Sequence, residues 1–187
     1  MATIEELELK TEDKMTKAVN ALRSELASIR TGRATPALLD RIRVDYYGTP
    51  TPINQVANIS VPEPRMLVIQ PWEKNMVKVI EKAIMTSELG INPNSDGIVI
   101  RLNIPQPTEE GRKELVKQVN KKGEAVRVEI RNNRRDLTDA IKKQVKAKTI
   151  TEDDAKEATD KSQKITDKFM KEIDSVLANK EKEVMSV

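Results

Sequence analysis

Cysteine and histidine are both absent from the 187 residues. Without cysteine there can be no disulfide, thiolate nucleophile, zinc ribbon or Cys-X-X-Cys redox pair. Without histidine the chain lacks the commonest general base near neutral pH, the usual imidazole metal ligand and any Ser-His or Cys-His dyad. Aromatic side chains are nearly missing: Tyr46, Tyr47, Trp72 and Phe169 are the whole set, 2 % of the chain. No apolar run approaches the roughly 18 residues of a membrane-spanning helix. The first thirty residues carry acids throughout and no hydrophobic stretch, so neither a signal nor a transit peptide is expected. No P-loop or Rossmann glycine pattern occurs. The expectation is a cytoplasmic, non-catalytic protein with no cofactor and no membrane contact.

Charge is what the chain has in quantity. Charged residues make up 34 % of it, against about 25 % in an ordinary soluble domain. Hydrophobic residues make up 37 %, which suits long amphipathic helices packed through a narrow aliphatic seam better than a round, thick core. The 33 basic and 30 acidic residues nearly cancel, to a net charge of +3, so the chain is too balanced for disorder by self-repulsion.

Two compositions alternate along it. All nine prolines lie between Pro36 and Pro107, with three of the four aromatics. Of the 75 residues from 32 to 106, 15 are charged, against 48 of the other 112. A proline-rich module is therefore inserted into a highly charged, proline-poor one. The division expected is 31–106 for the insert, and 1–30 with 107–187 for the body around it.

The body reads as three helices. Met15, Val19, Leu22, Leu26 and Ile29 recur at steps of four and three, with Gly32 as a C-terminal cap and Pro36 beyond it. Leu115, Val119, Val126, Ile130, Leu137 and Ile141 follow an 11-residue period, which predicts a nearly straight second helix. Thr151 and Asp154 form a capping box for a third helix with Ala158, Ile165, Phe169, Ile173, Val176 and Val184 on its stripe. No stripe can be buried alone, so the three should form an up-down bundle roughly 45–60 Å long, closed by a two- or three-residue turn before the third helix. Because each stripe is used within the bundle, a monomer is expected.

The insert alternates strand-like runs with turns. Strands are expected at 42–47, 56–61, 66–70 and 98–102, a turn at Gly48–Pro52, a helix over 74–89 and a loop at 92–97. The fold class is thus α+β: an elongated three-helix bundle with an inserted small β/α/β sandwich domain.

The net charge hides an asymmetry. Residues 112–148 carry 13 basic against 5 acidic residues, while 151–187 carry 7 against 10. Relative to the buried direction of the second helix, Arg127, Arg131, Arg134 and Arg135 fall at i, i+4, i+7 and i+8 on one flank with Lys113 and Lys142, and Lys117 is a further RNA-binding candidate toward the start. Glu114, Glu129 and Asp136 fall on the other flank. Two readings stay open. Either the arginines bridge to acids on the outer helices, or their planar forks face the phosphates of a folded RNA. Glu152-Asp153-Asp154 is better explained by the helix macrodipole than by a metal ion, and no carboxylate pair suggests acid–base catalysis.

Four segments carry a resemblance. Arg30-Thr31-Gly32-Arg33-Ala34, Val44 to Pro52, Gly90 to Gly97 and Glu129 to Asp136 closely resemble the bacterial ribosome recycling factor family, in order and across the whole chain. The resemblance implies an L-shaped molecule like transfer RNA, with the bundle joined to the β/α/β domain by a two-stranded hinge. That hinge maps to Thr31, Gly32, Ala34 and Thr35 on one side and Ile104, Pro105, Gln106 and Pro107 on the other. The resemblance also implies a function. The bundle would bind large-subunit ribosomal RNA in the intersubunit region of the ribosome. With elongation factor G and GTP, the protein would then split the post-termination ribosome into subunits. Arg131, Arg134 and Arg135 match the family's RNA-facing arginines, and Arg30 and Arg33 match motif arginines that brace the neck or touch RNA. One departure is Gly111, where the family carries arginine; a looser neck and one phosphate contact fewer are expected there. The rivals are an RNA-binding protein that never splits ribosomes, a helical adaptor without ribosome affinity, and a carboxylate hydrolase.

Overall fold

The computed structural model describes residues 1–186. In chain order they form helix α1 (Ile4–Ala27), strands β1 (Arg43–Tyr46), β2 (Thr49–Pro52), β3 (Ala57–Glu63) and β4 (Met66–Pro71), helix α2 (Met76–Met85), strands β5 (Asn94–Ser95) and β6 (Ile100–Asn103), and helices α3 (Glu109–Lys146) and α4 (Glu152–Met185). The chain divides into two compact units. One comprises Met1–Leu26 with Val116–Lys182, the other Ala27–Leu115 with the residues from Glu183 on.

In the first unit α1, α3 and α4 form a three-helix bundle. Ion pairs at Glu8–Lys161 (2.9 Å), Glu12–Lys168 (3.6 Å) and Arg23–Glu172 (3.0 Å) advance together along α1 and α4, so these two helices are parallel. Helix α3 runs against both: Lys122 meets Glu25 near the end of α1, and the Gln144 side chain donates to the Ala2 carbonyl at its start. All three helices begin on a threonine. Thr3 and Glu6 bond reciprocally, as do Thr151 and Asp154, and Thr108 Oγ1 accepts from the Gly111 N–H. Each threonine satisfies an N–H that the helix itself leaves unpaired. A side chain at Gly111 would approach Thr108 Oγ1 to 3.1 Å, so glycine leaves that cap undisturbed.

The bundle departs from the expected helices and connections in four respects. Helix α1 ends at Ala27, and Gly32 (φ 87°) serves as a left-handed residue in the connection that follows, not as the helix cap. The period on α3 is completed by Gly123, which is buried, and Leu177 of α4 lies where a Cβ on Gly123 would be. On α4 the buried face includes Ser162, Thr166, Leu177 and Lys180, which a search for the apolar period passes over. The connection between α3 and α4 spans residues 147–151, longer than expected, and turns through Lys148 at φ 61°.

The second unit holds the small sheet. Strands β3, β4, β6 and β5 form one antiparallel sheet in that order, and β1 pairs with β2 in a separate hairpin. Helix α2 contributes Val77, Ile80 and Ile84 to a core with Leu67, Ile69, Ile100 and Leu102. Full burial of each such aliphatic side chain stabilises the fold by about 1.5–3 kcal/mol. The expected turn at Gly48–Pro52 is instead mostly strand. The turn is Tyr47-Gly48, both at positive φ (49° and 83°), and Thr49–Pro52 pairs with β1. Pro50 and Pro52 are tolerated because β2 has a single neighbour, so an N–H on its outer edge has nothing to bond. The expected loop at 92–97 contains the two-residue strand β5.

Candidate nucleic-acid interface

The arginines of α3 lie where the 3.6-residue period puts them, beside rather than on the buried line through Val119, Gly123, Ile130, Leu137 and Ile141. Arg127 is the most fixed. Its Nη2 donates to Asp174 of α4 at 2.6 Å and its Nη1 to Glu124 at 3.2 Å, with about a quarter of its side chain exposed. These carboxylates, Asp174 above all, raise the Arg127 pKa further above its ordinary value. Arg131 shares Glu124 at 3.3 Å, and Arg134 donates to the Gln163 side chain at 3.0 Å. Arg135 is exposed, and no side-chain bond among the described residues holds it. Donation from Arg127 and Arg131 holds the Glu124 carboxyl below its usual pKa.

Both readings of the ridge therefore have a physical basis in it. Arg127 is tethered to an acid of the neighbouring helix and Arg134 is half-buried beside Gln163, while Arg131 and Arg135 are exposed. The expected segregation from acids is incomplete, because Glu124 sits among the arginines. At three residues before Arg127 and seven before Arg131 it shares their flank, a position legible in the sequence from the same period that ordered the arginines.

The remaining candidates lie elsewhere. Lys113 and Lys117 are exposed on the early turns of α3. Arg33 is exposed, whereas Arg30 donates through Nη1 to the Leu89 carbonyl and so braces the loop after α2. Of the connecting residues, Thr31 is buried and donates to Glu183 at 3.4 Å. Thr35 Oγ1 accepts from Ala37 N–H at 3.3 Å. The β3–β4 turn fastens both connections: Ala34 N–H donates to the Pro64 carbonyl (2.7 Å), Ile104 N–H to the Arg65 carbonyl (2.8 Å), and the Arg65 guanidinium to Gln106 (2.9 Å). Nothing in the local sequence marks Arg65 for this part. Pro105 and Gln106 are exposed, and Pro107 is half-buried. Among the described residues no group of three or more acidic side chains is arranged to hold a metal ion, and no helix is long and apolar enough to cross a membrane.

A three-helix bundle with an inserted β/α/β module and an arginine-edged central helix is the architecture of a non-enzymatic translation factor family. A family profile described as ribosome recycling factor matches residues 22–185. Ribosome-recycling factors of Syntrophomonas wolfei and Clostridium perfringens (strain 13 / Type A) are 60 % and 59 % identical, each over 95 % of this chain and 96 % of the relative. A solution structure of a ribosome recycling factor superposes with a TM-score of 0.84 at 44 % identity over all of both chains. A second similar structure is that of the T. thermophilus factor, placed together with E. coli elongation factor G on the E. coli post-termination complex (TM-score 0.71, 45 % identity, 98 % and 99 % coverage). The chain belongs to the ribosome recycling factor family.

Proposed function

We propose that the protein acts in the bacterial cytoplasm as a monomer. It binds the post-termination ribosome through large-subunit RNA and, with elongation factor G and GTP hydrolysis by that partner, separates the subunits to free mRNA and tRNA. The observation that carries the reading is the ridge Arg127–Arg131–Arg134–Arg135, in which Arg131 and Arg135 are exposed and Arg131 and Arg134 each spend one donor within the fold, leaving others for phosphate. Lys113, Lys117, Arg30 and Arg33 add positive charge to the same task. The bundle of 1–30 and 107–187 docks, and the 31–106 module turns about Thr31–Thr35 and Ile104–Pro107. Binding of this kind weakens steeply with salt as counterions are taken up again.

The test is light scattering of purified post-termination ribosomes with elongation factor G and GTP, comparing the natural chain with Arg134→Ala. Splitting by the natural chain and its loss in the variant is the expected result. Splitting by both removes Arg134 from the interface. No splitting by either, with the ribosomes and the factor shown competent, refutes the function.

A further inference from the structure

The second unit contains a cleft of about 600 Å³ between the 3-10 turn at Pro36–Leu39 and the end of α2. Its accessible apolar lining comes from the half-buried Ala37, Ala83 and Leu89, Leu38 and Ile42 being buried, and Arg30, Arg41 and Arg43 line it as well. Glu88 is the single acid among the lining residues, so the cleft is positive. Asp40 lines a neighbouring groove instead, which it shares with Arg43.

Most of the hydrogen-bonding capacity left in the cleft is cationic. The carbonyls at the end of α2 are already engaged: the Thr86 N–H and hydroxyl donate to Lys82, and the Ser87 N–H and hydroxyl donate to Ile84. Arg30 is spent in part on the Leu89 carbonyl, and Arg43 donates once, to the Asp40 carbonyl at 2.6 Å. Arg41 is exposed, and no side-chain bond among the described residues holds it. A guanidinium has five donors in a fork that fits two oxygens of one phosphate, so Arg41 and Arg43 retain most of theirs. A cleft of this size with a partly apolar lining and a few charged groups has the make-up of a small-molecule site.

We propose that this cleft binds a nucleotide, its phosphate taken by Arg41 and Arg43 and its sugar or base laid against Ala83 and Leu89. The nucleotide is supplied by an RNA strand or is free in solution; the chemistry recognised is the same. The apolar surface of Ala83 and Leu89 is what favours a nucleotide over an acidic peptide, whose carboxylates would use the arginines alone. The site is separate from the α3 ridge and does not depend on it.

The test is an NMR titration of the full chain, following backbone amides and arginine Nε–H groups, with AMP, hexauridylate and hexaglutamate as probes at low salt. Saturable shifts at Leu38–Arg43 and Ser87–Leu89 are expected with a nucleotide probe, weakened about tenfold or more in Arg41→Ala/Arg43→Ala. Tighter binding per nucleotide of hexauridylate identifies a strand as the source, and equal or tighter binding of AMP a free nucleotide. Both variant positions are exposed, so the amide spectrum of the double variant also shows whether the fold is intact. Shifts confined to 127–135, or hexaglutamate shifting the cleft as strongly as hexauridylate, overturns the proposal. The same titration on Arg131→Ala/Arg134→Ala keeps failure at the cleft distinct from failure at the ridge.

Discussion

Replacing Gly123 by alanine tests how closely α3 and α4 must approach. A Cβ at this position would lie 2.3, 2.7 and 3.0 Å from Leu177 Cδ1, Cδ2 and Cγ, and Leu177 is buried at 5 % exposure. Two effects oppose each other. Alanine is favoured over glycine within a helix by about 1 kcal/mol. Forcing a methyl into a filled core costs about 1–3 kcal/mol, and three such close approaches put this site in the upper part of that range. The net expectation is a loss of about 1–2 kcal/mol. For a chain of this length that lowers Tm by roughly 2–8 °C. The readout is thermal and urea unfolding followed by far-ultraviolet circular dichroism, which reports mainly the bundle helices. Leu177→Ala alone should cost about 2–5 kcal/mol. The double variant should be more stable than the sum by at least about 1 kcal/mol, since the new methyl then fills the space the leucine leaves. A higher Tm for Gly123→Ala, or simple additivity, would show that the helices are free to separate and that packing at Gly123 does not set their distance. The outcome bears on the ridge, because Arg127 reaches Asp174 one turn from this contact.

Two further outcomes follow from charge. Asp154 is held below its ordinary pKa by the Thr151 backbone N–H and hydroxyl at the start of α4, and Asp96 by the Val99 and Ile98 N–H groups. A depressed carboxyl stabilises the fold above its unfolded pKa, near 4, and loses that contribution as pH falls through the folded value. Asp154→Asn should therefore melt below the natural chain at pH 7 and converge with it as pH falls through the folded pKa of Asp154; a constant gap would mean the charge at that cap contributes nothing. Glu124→Gln should strengthen binding to large ribosomal subunits about threefold to fivefold at low salt, because it frees Arg127 and Arg131 of a competing carboxylate. Unchanged affinity, alongside a loss in Arg131→Ala, would show that phosphate displaces Glu124 without cost.

Spacing along the chain was enough to set the architecture: helical periods around a proline-rich insert required three helices to share a core and a small sheet to sit between the first and second. The Thr151–Asp154 box and the grouping of Arg127, Arg131, Arg134 and Arg135 were legible for the same reason, since both depend on spacing along one helix. What needed the folded molecule was everything set by a neighbour distant in the chain. Prolines at 50 and 52 read as turn until β2 is seen to have only one partner. Gly123 reads as a gap in the stripe until Leu177 fills it. Arg65 carries no signal of its own, yet its turn fastens both connections to the insert. Arg41 and Arg43 are two surface charges until the fold sets them with Arg30 around one cleft. Periodicity records which face of an element is buried, but only contact between elements decides what stands opposite it.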